Sequence, residues 1–113
     1  MTTLYGISNC DTIKKAKDWL ENNGVDYSFH DYRNAGIDAA TLQLWCKDFG
    51  FEALLNRRST TWRKLDESVK SNINESKAIG IMQDNPSIIK RPVLISGKIK
   101  ILGFKEAEYK TLL

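Results

Sequence analysis

The first third of the chain runs strand, helix, strand, and this order constrains the fold more than any other feature. Thr2 to Ile7 is β-branched and aromatic, the composition of a strand. Asp11 to Asn23 then places Ile13, Ala16 and Leu20 on one helical face, with Gly24 as the stop. Val25 to Tyr32 alternates apolar Val25, Tyr27 and Phe29 with polar neighbours, a second strand. A crossover of that length favours a parallel pair of strands.

The middle of the chain changes character. Gly36 breaks the pattern, and Asp38 caps a helix whose Leu42, Trp45, Cys46 and Phe49 fall on one stripe that ends at Gly50. Phe51 to Leu65 is short and broken. Glu75 to Asp84 is a further helix carrying Ala78, Ile79 and Met82, stopped by Pro86. After Pro92, Val93 to Ile95 and Lys98 to Leu102 flank a Ser96-Gly97 turn and form a hairpin. Gly103-Phe104 leads into a last helix with Tyr109, Leu112 and Leu113 as its apolar residues and no strong cap at its start. The order is βαβ, a helical block, then ββα. A parallel βαβ unit followed by an antiparallel hairpin and a closing helix is the thioredoxin-like arrangement. The prediction is an α/β fold with a mixed four-stranded sheet in a single domain, residues 1–113. Its two halves cover about 1–33 and 88–113, and the helical insertion about 34–87.

Composition narrows the function classes. At 113 residues the chain is long enough for one domain with a hydrophobic core. The net charge of +3 is mild, its lysines and arginines are spread along the chain, and no nucleic-acid motif is visible, so nucleic acid is not an expected partner. No apolar run approaches the length of a membrane span, and the N-terminus lacks the pattern of a signal peptide, so a cytoplasmic location is expected. Two cysteines without a C-x-x-C, and one histidine, do not make a metal site. A permanent disulfide is not expected in a reducing compartment.

Chemistry converges on Cys10, at the junction of the first strand and the first helix. A helix N-terminus offers unpaired N–H groups and a partial positive charge, which favour a thiolate, the nucleophilic form of cysteine. The other reading is a small buried residue closing a strand; the polar and cationic flanks, with Lys14 and Lys15 on the first turns, favour the reactive thiol. Arg91-Pro92 is the second feature. X-Pro bonds are the ones that can be cis, and in thioredoxin-like folds a cis proline opens the third strand opposite the cysteine. The dipeptide alone leaves an ordinary trans proline equally open; the fold pattern points to cis. The third is a set of cations, Lys14, Arg57, Arg58, Arg63, Arg91 and Lys105, of which arginine pairs bidentately with oxyanions. Taken singly, each reads as a solvated surface charge. Cys46, on the apolar stripe, reads as core, and His30 as structural rather than a general base.

The segments Leu4-Tyr5-Gly6-Ile7-Ser8-Asn9-Cys10-Asp11-Thr12-Ile13-Lys14-Lys15-Ala16, Phe29-His30-Asp31-Tyr32-Arg33, Leu54 to Leu65, Ile89-Lys90-Arg91-Pro92-Val93-Leu94 and Leu102-Gly103-Phe104-Lys105 resemble the ArsC/Spx/YffB family. This is the arsenate reductase-like branch of the thioredoxin superfamily, and the chain is most similar to its YffB-type subgroup. The resemblance covers nearly the whole chain. It implies a single active-site cysteine, Cys10, with Arg91 lining an anion site next to the structural cis-proline Pro92. It implies supporting cations at Lys14, Arg58 and Lys105. Arsenate reductases tend to have arginine where Lys14 stands, and an arginine where Lys105 stands. Their mid-chain arginine is matched by Arg58 under the YffB-type pattern but falls nearer Asn56 when aligned to arsenate reductases. Lysine and arginine are not equivalent at a planar oxyanion site, which weakens an arsenate assignment.

The expected function is therefore that of an oxidoreductase, a glutathione-dependent thiol reductase acting through Cys10. No bound cofactor is expected. Glutathione or another small thiol, with glutaredoxin as a further thiol partner, would serve as co-substrate, and the substrate would be anionic or a disulfide. One alternative is arsenate reduction with glutathione and glutaredoxin. Another is an Spx-like transcription regulator that binds RNA polymerase; that branch typically carries a C-x-x-C switch, whereas Ile13 stands at the second position here. A monomer is expected, away from membranes and without nucleic acid.

Overall fold

The computed structural model describes residues 1–113, and the chain divides into two compact units, Met1–Ala35 with Arg91–Leu113, and Gly36–Lys90. The first unit holds a four-stranded sheet in the order β2-β1-β3-β4, built from β1 (Thr2–Gly6), β2 (Ser28–Asp31), β3 (Val93–Ser96) and β4 (Ile99–Leu102). β1 pairs parallel with β2 and antiparallel with β3, and β3 pairs antiparallel with β4. This mixed α/β sheet is the expected thioredoxin-like pattern.

Strand periodicity explains the core. The registers Leu4↔Phe29, Leu4↔Leu94 and Leu94↔Ile101 set one apolar row across all four strands. The helix α1 (Asp11–Asn22) brings Ala16 and Leu20 onto that row, and Tyr109 of the short helix α8 (Glu106–Tyr109) completes the buried cluster. Trp19 and Phe104 meet Tyr109 edge-on, at centroid distances of 5.5 and 4.8 Å. The Tyr109 hydroxyl lies buried without a hydrogen-bond partner.

Gly6 ends β1 beside the first turn of α1. A Cβ at this position would run into the side chain of Ile13, which is fully buried. The absence of a side chain at Gly6 thus lets the first turn of α1 settle on the backbone at the end of β1.

In the Gly36–Lys90 unit, three helices begin at side-chain caps. Asp38 accepts from the Thr41 N–H at 2.8 Å to start α3 (Ala39–Phe49), and a single turn, α4 (Phe51–Leu54), follows. Ser59 caps α5 (Thr60–Lys64) and Asn74 caps α7 (Glu75–Asp84) in the same way. The core of this unit includes Leu42, Trp45, Cys46, Leu54, Trp62, Ala78, Ile79 and Met82. Leu55 and Ile89 form an isolated antiparallel bridge, and the Lys90 N–H donates to the Leu54 carbonyl at 2.7 Å.

Several elements differ from the sequence reading, each for a local reason. The second strand begins at Ser28 rather than Val25, because the Val25 N–H is spent on the Leu20 carbonyl at the exit of α1, 2.9 Å away. Tyr32 leaves the strand to begin a one-turn helix, α2 (Tyr32–Ala35). An unforeseen turn, α6 (Glu67–Lys70), follows α5. The last helix is one turn that tightens into a 3-10 turn at Lys110–Leu112, with no side-chain cap at Lys105. The chain passes from one compact unit to the other at Gly36 and returns at Arg91. Tyr32–Ala35 continues directly from β2, and Ile88 to Lys90 are tied to Leu54–Asn56 by hydrogen bonds.

Candidate active site

Cys10 is the N-cap of α1, with extended backbone (φ −134°, ψ 129°), and its carbonyl accepts the Lys14 N–H at 3.0 Å. No side-chain hydrogen bond of ordinary geometry caps the helix, and the cysteine stands where an Asp or Ser would, beside the first N–H groups. Its sulfur is partly exposed. Desolvation pushes the thiol pKa up, but the nearby Ile13 N–H, the Arg91 side chain and the Thr12 N–H, together with the Arg91 charge, outweigh it and hold the thiol below its ordinary value. The groups that favour the thiolate are thus the first N–H donors of the helix and one guanidinium.

Arg91 reaches this sulfur because of where the chain re-enters the sheet. The Arg91-Pro92 peptide bond is cis, Pro92 is buried, and its carbonyl accepts the Gly103 N–H at 2.8 Å. The arginine Cβ lies 3.8 Å from the position a side chain on Gly6 would take, which sets it beside the C-terminal end of β1. Its charge is also felt by Tyr32, whose hydroxyl is buried; burial raises the Tyr32 pKa strongly, partly offset by Arg91. Tyr5 and His30, paired in register, meet at 5.0 Å with their rings tilted by 44°, and the His30 ring meets Tyr32 edge-on at 6.4 Å. His30 therefore belongs to an aromatic group spanning β1, β2 and the start of α2.

Of the residues singled out from sequence, the structure brings together Cys10, Arg91 and Pro92. Lys14 has an exposed side chain, and its recorded bond to the cap is through its backbone N–H. Lys105 is exposed at the N-cap of α8, where its carbonyl accepts from Glu108 and Tyr109. Arg58 lies in the Gly36–Lys90 unit with an exposed side chain, and its N–H donates to Asn56 Oδ1 at 3.1 Å. Cys46 is buried on α3, and burial pushes its thiol up. No three His, Cys, Asp or Glu side chains are grouped to hold a metal ion. No helix is long and apolar enough to cross a membrane.

Sequence reasoning missed Gly6, Tyr32 and Asp31 as individual contributors. The Asp31 carboxylate accepts the Ser8 N–H at 3.2 Å and the Arg33 N–H at 2.8 Å. Desolvation works to raise its pKa, but bonds from the Arg33 N–H, from Ser8 and from the Asn34 N–H hold it below the ordinary aspartate range. The signal was present only as register, since Asp31 pairs with Gly6.

Comparison with known proteins places this geometry. The model of the ArsC family matches residues 5–112. The solved structure of a YffB protein superposes with a TM-score of 0.95 at 49% identity, covering 98% of this chain and 97% of that one. An uncharacterised protein of Haemophilus influenzae is 44% identical over 110 residues, 97% of this chain and 96% of its own length. The global transcriptional regulator Spx of Streptococcus pneumoniae is 30% identical over 115 residues, covering all of this chain and 86% of the regulator.

Proposed function

The chain belongs to the ArsC family, and on that premise we propose that it is a thiol oxidoreductase with Cys10 as its single nucleophile and glutathione as its reductant. One arrangement carries the reading: Cys10 is the N-cap of α1, where desolvation raises its pKa but the Ile13 and Thr12 N–H groups and Arg91 outweigh that and lower it. A thiolate so placed attacks a disulfide along the S–S axis. The Cys10 sulfur bonds to one sulfur of the substrate, the S–S bond breaks, and the other sulfur leaves as a thiolate that takes up a proton. Position 13, where a C-x-x-C protein would hold its resolving thiol, is a fully buried isoleucine. An external thiolate must therefore attack the mixed disulfide, releasing Cys10 as thiolate and leaving with the substrate sulfur as a new disulfide. Glutathione suits this step, because its carboxylates complement Arg91 and the exposed cation of Lys14. The cytoplasm, rich in reduced glutathione, is the compartment in which such a cycle runs.

The test is turnover of a small mixed disulfide with glutathione, coupled to glutathione reductase, for wild type and Cys10→Ser. Turnover that vanishes in Cys10→Ser supports the reading; wild-type turnover no higher than that of the variant refutes it. Replacing the disulfide by arsenate in the same assay tests the oxyanion alternative. A regulator reading is favoured by the Spx relative, which matches the chain from end to end. It predicts that the purified chain co-elutes with RNA polymerase, and that Cys10→Ser does not change this.

A further inference from the structure

Asp31 has no part in the reaction just described, yet it holds the segment that leads into Cys10. β1 ends at Gly6, Ile7 is buried, Ser8 and Asn9 are exposed, and Cys10 begins the helix. Asp31 is the last residue of β2 and lies in register with Gly6. One carboxylate oxygen, Oδ2, accepts the Ser8 N–H at 3.2 Å; the other, Oδ1, accepts the Arg33 N–H at 2.8 Å. The side chain thus ties the loop before the thiol to the turn that follows the neighbouring strand.

We propose that Asp31 is a positioning residue for Cys10: its carboxylate fixes the Ser8–Cys10 loop and so keeps the sulfur seated on the Thr12 and Ile13 N–H groups. The inference rests on Cys10 as the reactive thiol and adds the device that holds it. Aspartate suits the task because both of its oxygens accept, one from each segment. Asparagine keeps one acceptor and turns an NH2 group toward an N–H donor. The sign of the effect separates position from charge. A carboxylate near a thiol disfavours the thiolate by like-charge repulsion, so by charge alone Asp31→Asn makes Cys10 more acidic. By position, the same substitution loosens the sulfur from its donors and makes Cys10 less acidic.

The experiment measures the Cys10 titration, by thiolate absorbance and by the pH dependence of iodoacetamide alkylation read on the Cys10 peptide. The proteins are wild type, Asp31→Asn and, as a charge-matched control at an exposed site, Asp26→Asn. The expected result for Asp31→Asn is a midpoint moved up and alkylation roughly 3-fold slower below the titration range, while Asp26→Asn follows wild type. A midpoint that is unmoved or moved down overturns the inference. Should Asp31→Asn fail to fold, the wild-type protein decides it: the Ser8 and Arg33 amide resonances must titrate together with the Asp31 carboxyl, and a Ser8 amide blind to that titration overturns the tie. A wild-type Cys10 that titrates as a free thiol refutes the thiolate reading, while the Ser8 amide still reports whether Asp31 holds the loop.

Discussion

Replacing Arg91 by glutamine removes the one side chain that lowers the Cys10 pKa while keeping a neutral donor in its place. A hydrogen bond to a charged group contributes about 1.5–3 kcal/mol. Because Cys10 is partly exposed, solvent screens the interaction, and the low end of that range applies. Roughly 1.4 kcal/mol is a tenfold loss of thiolate at any pH below the titration. A less acidic thiol is also a better nucleophile, recovering about half of that loss on a logarithmic scale. Arg91→Gln should therefore react about 3-fold more slowly than wild type below the titration range and about 3-fold faster above it, so the two pH–rate curves cross. The assay is stopped-flow reaction of Cys10 with a small uncharged disulfide across the pH range, with Arg33→Gln, an exposed arginine, as the charge-matched control. Superposed curves would refute the argument that Arg91 favours the thiolate. A uniform slowing at all pH would refute it too, since that signals loss of active protein.

Three further predictions follow from the packing and from linkage. Gly6→Ala forces a Cβ into Ile13 and should cost about 1–3 kcal/mol in urea denaturation, part of it recovered by adding Ile13→Val; stability equal to wild type would show that the contact is soft. Tyr109→Phe deletes a buried hydroxyl without a hydrogen-bond partner and should be neutral or stabilising by up to ~1 kcal/mol; a clear loss of stability contradicts an unsatisfied hydroxyl. For Cys10 the folded pKa is depressed, so the stabilisation from its thiolate is fully present above the unfolded thiol value of about 8.5 and is lost as pH falls through the folded value. The stability advantage of wild type over Cys10→Ser should accordingly grow from acid to alkaline pH, and a difference independent of pH excludes a favoured thiolate.

The features legible in the sequence are those whose cause is local. Asp38 heads its helix by accepting the Thr41 N–H three residues on, and Glu75–Asp84 is bounded by a cap at Asn74 and by Pro86 soon after its end. The placement of Cys10 is of the same kind, since a strand pattern running into a helix pattern marks the N-cap. Arg91 rises above a surface charge only through the family resemblance, and its place beside β1 follows from a hairpin that returns its first strand to that side after the βαβ unit. Asp31 and Gly6 could not be read as a pair, because their relation is a register between strands. The false start of β2 at Val25 has a related origin: the alternation of Val25, Tyr27 and Phe29 is real, and all three pack on the core, but the Val25 N–H is committed to α1.

Ile13 shows why one thiol is a property of the packing here and not merely of composition. Its backbone N–H is among the groups that lower the Cys10 pKa, and its fully buried side chain settles on Gly6 at the end of β1. The contact that seats the first turn of α1 against the sheet is thus made by the same residue that helps to favour the thiolate. A second cysteine at this position would keep the N–H but give up most of the apolar contact, loosening the turn that presents the donors to Cys10. On the proposed reading, in which an external thiol resolves the mixed disulfide, position 13 is left free for this packing role. The close approach that excludes a side chain at Gly6 and the isoleucine in place of a resolving thiol are two sides of one arrangement.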